Sequence, residues 1–417
     1  MLQSLYDLDQ QRQILSWSSI SDNLAFFLLE ESCAMEQLLK QAKPFLDYDE
    51  QVDQLRARGM VIEDRQRAIR KVTQVGYYRL SGYWHGARYF TQDGRTRVYR
   101  DEFRPGTSFD AVYDFYLFDK KLRLELLDAL ERIEVYFRTV TAHELGRSNS
   151  LCHLDKKNFS RDAFSSAGQT GKVPSYDAWL VNHEKRIKES HEDSIVSHRN
   201  AGKPIPIWVA AEVWDFGSLS KFYSMLNGKN QDLICNRIGI TERNVLENWL
   251  INLYVLRNRC AHHSRVCNRT NPRTLKLPKK GYFNLIGLNN TGLDRIYGLI
   301  TVIWFLLKQI APSSDWILRI ANLFDQKPDV PGFGFLAMGI AGNAFPRDRF
   351  VETQTPVTPP KDFRTLAAEA RTSSIRCVDY LRSHVTEPDF AEEAGRLTDF
   401  WLQAAEDIET LVSNTDR

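Results

Sequence analysis

FDAVYDFYLFDKKLRLELLDALERIEVYFRTVTAHEL, residues 109–145, returns apolar side chains at Val112, Tyr113, Tyr116, Leu117, Leu124, Leu127, Leu130, Val135 and Phe137. That spacing is close to the helical period and predicts one long amphipathic helix, which Gly146 ends. Strand-like alternation is scarce elsewhere, so the chain reads as all-α.

Working outward, Tyr48-Asp49 opens a helix with Val52 and Leu55 that stops at Arg58-Gly59, and a second helix spans Gln66 to Val75. The aromatic block Gly76 to Trp84 follows, then Thr91 to Arg104, a loop or short hairpin. Downstream, Ser148 to Gly171 is polar and loop-like, and Tyr176 to Glu189 returns to helix. Pro204-Ile205-Pro206 introduces an aromatic-rich helical pair over Ile207 to Met225, broken at Phe216-Gly217-Ser218. Thr241 is a suitable N-cap for a helix through Val245, Leu246, Trp249, Leu250, Leu253 and Tyr254. Leu293 to Ile310 reads as the last helix of this core.

These segments suggest an N-terminal extension (1–40), a small winged or three-helix module (41–107) and a helical core (108–345). A linker (346–362) and an acidic helical hairpin (363–417) complete the expected order. Met35 lies just before the first clear domain signal and is a candidate translation start.

The chain is ordinary for a soluble globular protein at 43% hydrophobic and 26% charged, and its net charge of +2 favours no partner. Charge distribution says more. Between Asn248 and Leu293 there is no Asp or Glu, while Arg257, Arg259, Arg265, Arg269, Arg273 and Lys276 all fall there. Such a field suits a polyanion, though a solvated basic face also accounts for it. Six cysteines without a C-x-x-C pair read as reduced thiols, hence a cytoplasmic protein. No export signal is evident, and the longest apolar run, Ile296 to Leu307, suits a buried helix better than a membrane span.

The Thr241 helix leads into Arg257-Asn258-Arg259-Cys260-Ala261-His262-His263. RNA carries its own nucleophile, the 2′-hydroxyl. Cutting it without a metal needs a group of pKa near 6.5 to move protons and a cation to hold the phosphorane oxygens. His262 fits the first role and Arg257 the second, since its guanidinium donates paired hydrogen bonds and stays charged. Asn258 would orient either the imidazole or the phosphate. Arg257 and His262 stand about 140° apart on an ideal helix. Either the helix ends near Cys260, or two copies of the motif meet across a two-fold axis.

Around this trio, Arg259, Arg265 and Arg269 are candidate RNA-binding or supporting residues, and His263 a solvent-facing neighbour. A second R-x4-H, Arg138 to His143, lacks the Asn and follows Glu134 by one turn, which favours an Arg138–Glu134 salt bridge. Arg138 is then a helper at the cleft. Cys260, His263 and Cys267 are zinc-like in spacing but have no fourth ligand, so no metal and no cofactor are expected. Tyr77, Tyr78, Tyr83 and Trp84 suit a core better than a base-stacking platform, although Arg79 keeps RNA contact open.

Several ordered blocks extend the pattern: Lys43-Pro44-Phe45, Leu55 to Gly59, Gly76 to Trp84, Ile133-Glu134, Pro206-Ile207-Trp208 with Glu212, Phe216-Gly217 and Leu219, and Arg257 to Arg265. With them, roughly residues 40–345 resemble the Abi (abortive infection) family, AbiD and AbiF types, and Arg257-Asn258…His262 resembles the R-N-x-x-x-H signature of the HEPN superfamily. The resemblance implies a HEPN-type helical bundle and a role in phage defence or toxin-like growth arrest. It also implies a homodimer with a composite cleft, RNA as substrate, and an RNA or protein antitoxin as a possible partner. A non-catalytic RNA-binding protein on the same scaffold, or a metal-dependent nuclease, are the rival expectations.

Overall fold

In the computed structural model, residues 43–350 are described, apart from 95, 166–173, 280 and 287, together with six positions between 396 and 406. The chain divides into two compact units, Met1–Phe345 and Pro346–Arg417. The expected N-terminal extension, most of the linker and nearly all of the terminal hairpin lie outside the described residues.

The first unit is helical, as the periodicity predicts. Helices α1 (Tyr48–Ala57), α2 (Arg65–Val75) and α3 (Tyr77–Trp84) are followed by a hairpin of β1 (Arg88–Asp93) and β2 (Thr96–Phe103). Asp47 and Glu50 form a reciprocal capping box on α1, satisfying two orphan N–H groups. Gly76, at φ 90°, ends α2 and starts α3, a turn that a side chain would strain. The antiparallel hairpin pairs Phe90 with Tyr99 and is the only sheet among the described residues.

Helix α4 (Phe109–Gly146) is the axis of the unit, capped by the Ser108 hydroxyl accepting from the Ala111 N–H. At 38 residues it is about 57 Å long. One face buries Val112, Phe115, Leu122, Leu126, Ala129, Ile133, Phe137 and Val140. Further helices follow: α5 (Ser175–Glu189), α6 (Asp193–Asn200), α7 (Ile207–Ala210), α8 (Phe216–Met225), α9 (Gly228–Ile238) and α10 (Arg243–Ala261). The remainder are α11 (Tyr282–Ile286), α12 (Asn290–Leu293), α13 (Ile296–Ile310) and α14 (Trp316–Asp325). Helices α3, α7, α9, α10, α13 and α14 all pack against α4. Helix α13 buries every residue from Ile296 to Leu307 except Phe305, as its apolar run requires, and no described helix is long and apolar enough to cross a membrane.

Some boundaries differ from the sequence reading. The Ile207–Met225 segment breaks at Trp214-Asp215 rather than at Phe216, because the Asp215 carboxylate caps α8 by accepting from Ser218 N at 2.7 Å. Glu242, not Thr241, is the N-cap of α10, and the Thr241 hydroxyl instead donates to the Glu242 carboxylate at 2.7 Å. The core does not end at Ile310. Helix α14 adds Trp316, Ile317, Ile320, Ala321, Leu323 and Phe324 to it.

Between α5 and α8 lies an aromatic cluster holding two buried histidines. The Trp214 indole N–H donates to His183 Nδ1 at 3.0 Å, and the His153 and His183 rings are 5.4 Å apart. Burial pushes His153 down to about 3 and His183 down to about 4. Both are therefore neutral when folded, whereas the unfolded chain takes up protons below about 6.5. Stability is complete above that pH and falls as pH drops towards about 4, by roughly 3 kcal/mol for His183 alone. We expect the urea midpoint to fall between pH 6.5 and 4, and His183→Gln to flatten that slope. An unchanged slope in the variant contradicts this assignment.

Candidate active site

Helix α10 delivers the Arg257 motif on its last turns. Its inward face buries Val245, Leu246, Trp249, Leu250, Leu253, Leu256 and Cys260, which leaves Arg257, Asn258 and Arg259 only partly covered. The helix ends at Ala261, one residue beyond the point that the motif's geometry suggested. His262 is the C-cap, with its N–H bonded to the Asn258 carbonyl at 2.9 Å. His263 takes a positive φ of 57°, and Arg79 donates to its carbonyl at 3.0 Å. Both imidazoles are exposed.

Arg257 points towards α4. There the buried Glu134 carboxylate holds two guanidinium groups from separate helices. Arg138 Nη2 donates to Glu134 Oε1 at 2.7 Å, and Arg257 Nε stands 3.6 Å from Oε2. Arg138 is fixed further by donating to the Trp214 carbonyl at 3.0 Å and by Glu212 at 3.7 Å. Burial pushes the Glu134 carboxyl up, while the two arginines pull it down. A cavity of about 480 Å³ opens here, lined by Leu127, Glu131, Glu134, Arg138, Arg257 and Ala261 among others.

Of the sequence-derived residues, then, the fold brings Arg257, Arg138 and Glu134 together. Asn258 and His262 adjoin the cavity in sequence but are not part of its lining, and neither side chain makes a hydrogen bond among the described residues. His143 is exposed and faces Glu144 at 3.2 Å, so the second R-x4-H does not gather into a site.

The other cations divide between support and surface. Arg259 donates to the Thr270 carbonyl at 3.0 Å. Arg265, weighed above as an RNA contact or a support, donates to the Gly82 carbonyl and lies over the Tyr83 and Phe333 rings. Its guanidinium is turned inward, which is a supporting geometry. Arg269 is exposed. Cys260 and Cys267 are buried, with the Cys260 thiol pushed up to about 12 by burial, while His263 faces outward. Among the described residues no group of three or more His, Cys, Asp or Glu is placed to hold a metal.

What fixes the segment after the motif is a residue that the sequence reading missed. Asp119, fully buried on α4, accepts from the backbone N–H groups of Val266 (3.1 Å) and Cys267 (2.8 Å). Its second oxygen accepts from the Tyr83 hydroxyl at 2.8 Å and from Arg123. An Asp and an Arg four apart read as a solvated pair. The available signal was position: Asp119 falls in the apolar stripe between Phe115 and Leu122. Farther on, Asn248 bonds both Thr274 O and Lys276 N at 3.0 Å, holding the basic return segment along α10.

Residues 70–268 match the family model for an Abi-like protein. Over that span the chain is similar to the Abi-like family. The matched region is narrower than the sequence blocks suggested. It starts within α2 and ends just after the loop that Asp119 holds, so it includes Glu134, Arg138 and the whole Arg257 motif. Neither a curated protein nor a solved structure matches the chain.

Removing the Asp119 carboxylate leaves Arg123 buried without its partner and orphans two backbone donors. Asp119→Ala is expected to cost about 3–5 kcal/mol, read from the urea midpoint. A loss below about 1 kcal/mol would show that the network is not structural.

Proposed function

We propose that this Abi-like protein is a metal-independent endoribonuclease of HEPN type, acting in phage defence by abortive infection or as the toxin of a toxin–antitoxin pair. The observation that carries the reading is the convergence of Arg257 and Arg138, from two helices, on Glu134 at a cavity beside the helix end that bears His262. Glu134 meets Arg257 through Nε at 3.6 Å, and no hydrogen bond to its terminal nitrogens occurs among the described residues. Those nitrogens can take the non-bridging oxygens of a phosphate. Arg138, more firmly held, sets the position of Glu134 and so of Arg257.

His262 is suited to withdrawing the 2′-hydroxyl proton or protonating the leaving 5′-oxygen, because its imidazole is exposed and a ring of this kind can both accept and donate a proton. Asn258, one turn earlier, would orient it. A homodimer completes the site in this reading, two copies of the motif facing one phosphate so that one subunit's His262 reaches the other's Arg257. Cleavage by this route leaves a 2′,3′-cyclic phosphate and a 5′-hydroxyl, and spares DNA.

One observation favours a second reading, a non-catalytic RNA-binding protein: His262 is not among the residues that line the Arg257 cavity. Cleavage of single-stranded RNA in EDTA decides between them. Wild type is expected to cut, with His262→Ala and Arg257→Ala each slowed by about 10²–10⁴-fold. Undiminished RNA binding without cleavage by wild type overturns the enzyme reading and supports the binder. Cleavage abolished by the chelator points instead to a metal-dependent nuclease.

A further inference from the structure

A second cavity, of about 470 Å³, opens between α5, the start of α8 and α10. Tyr254, on its wall, precedes Arg257 by three residues on α10. The two side chains therefore share a face, about 4.5 Å apart along the axis. The cavities are also joined through α8's approach: Arg138 donates to the Trp214 carbonyl, and the next residue, Asp215, lines the second cavity.

We propose that this second cavity receives the base of the nucleotide next to the scissile phosphate of a single-stranded RNA, an inference that rests on the ribonuclease reading above. The Tyr254 ring is set against the backbone of Gly217. A Cβ there would lie 2.7 Å from Cε2 and 3.2 Å from both Cδ2 and Cζ, so a glycine is what admits the ring. With that side occupied, the half-buried Tyr254 is held in one orientation and offers its remaining surface to the cavity. Trp179 forms the buried floor, its indole N–H anchored to the Ser218 carbonyl at 3.2 Å.

The rim carries polar recognition. Asn182 is exposed and its Nδ2 donates to Ala178 O at 3.0 Å, while its Oδ1 has no partner among the described residues. That oxygen can accept from an exocyclic base amine. Arg186 is neutralised by Asp215 at 2.6 Å. Lys221, bonded to the Ser175 hydroxyl at 3.0 Å, is left as the cation for the sugar–phosphate backbone. The aromatic wall and the cation can take any base, and the amide edge adds a preference among bases.

The test is anisotropy binding of a full-length oligonucleotide made uncleavable by a 2′-deoxy sugar at the cut, with and without an abasic flanking nucleotide. Tyr254→Ala is expected to bind the intact strand about tenfold more weakly, and Tyr254→Phe within about twofold. The abasic strand should lose a similar factor with wild type and little more with Tyr254→Ala, because both remove the same stack. Asn182→Ala should shift which flanking base is preferred. Additive losses, variants that bind both strands as wild type does, or a wild type indifferent to the abasic change each overturn the proposal. Should Tyr254→Ala fail to fold, Asn182→Ala and Lys221→Ala, both at exposed positions, decide on the same strands. Binding is read without cleavage, so a coupled loss in a protein that never cuts upholds the base site and rejects the nuclease. Cleavage lost in His262→Ala with no such coupling does the reverse.

Discussion

A carboxylate with no access to water organises the middle of this protein. Asp119 is bonded to four groups from three parts of the chain: Tyr83 on α3, Arg123 on its own helix, and the backbone of Val266 and Cys267 beyond α10. Burying a charge is costly, and it persists only where donors surround it. Here the donors are two side chains and the start of the loop that follows the Arg257 motif. The same residue thus fixes α3 to α4 and stops the end of α10 from drifting.

Much of the architecture could be read from apolar spacing. The long helix over residues 109–145, the buried run Ile296 to Leu307 and the helix bearing Arg257 all appear where periodicity puts them. Helix α9 escaped because it opens on Gly228-Lys229-Asn230-Gln231, which begins with a poor helix former and shows no apolar residue to mark the period, and is held by the Asn227 cap. The start of α10 was misplaced by a residue because Thr241, a good cap in isolation, is engaged by Glu242. Propensity describes a residue alone; these outcomes were set by its neighbours.

The site was legible in the same uneven way. Glu134 and Arg138 are one helical turn apart, so their pairing follows from local spacing. That Arg257 reaches the same carboxylate depends on α10 packing against α4, a contact between residues more than a hundred positions apart. No local pattern encodes that. Arg265 shows the converse. It looked like one more cation of a basic field, yet the fold uses it to join the loop to Gly82 and two aromatic rings. Positive charge in the sequence therefore overstates what is presented to a polyanion.

Helix α4 carries both carboxylates, fifteen residues apart, on one uninterrupted rod. Asp119 holds one end of the motif's surroundings and Glu134 holds Arg257, so the phasing between them is set by helical pitch alone. One residue inserted between them would twist one anchor by about 100° relative to the other and push it along by about 1.5 Å. Neither carboxylate could then meet its partners while the other did. In this stretch evolution is free to exchange outward side chains but not to alter the count, and insertions and deletions in descendants should be confined to the loops at either end of the rod.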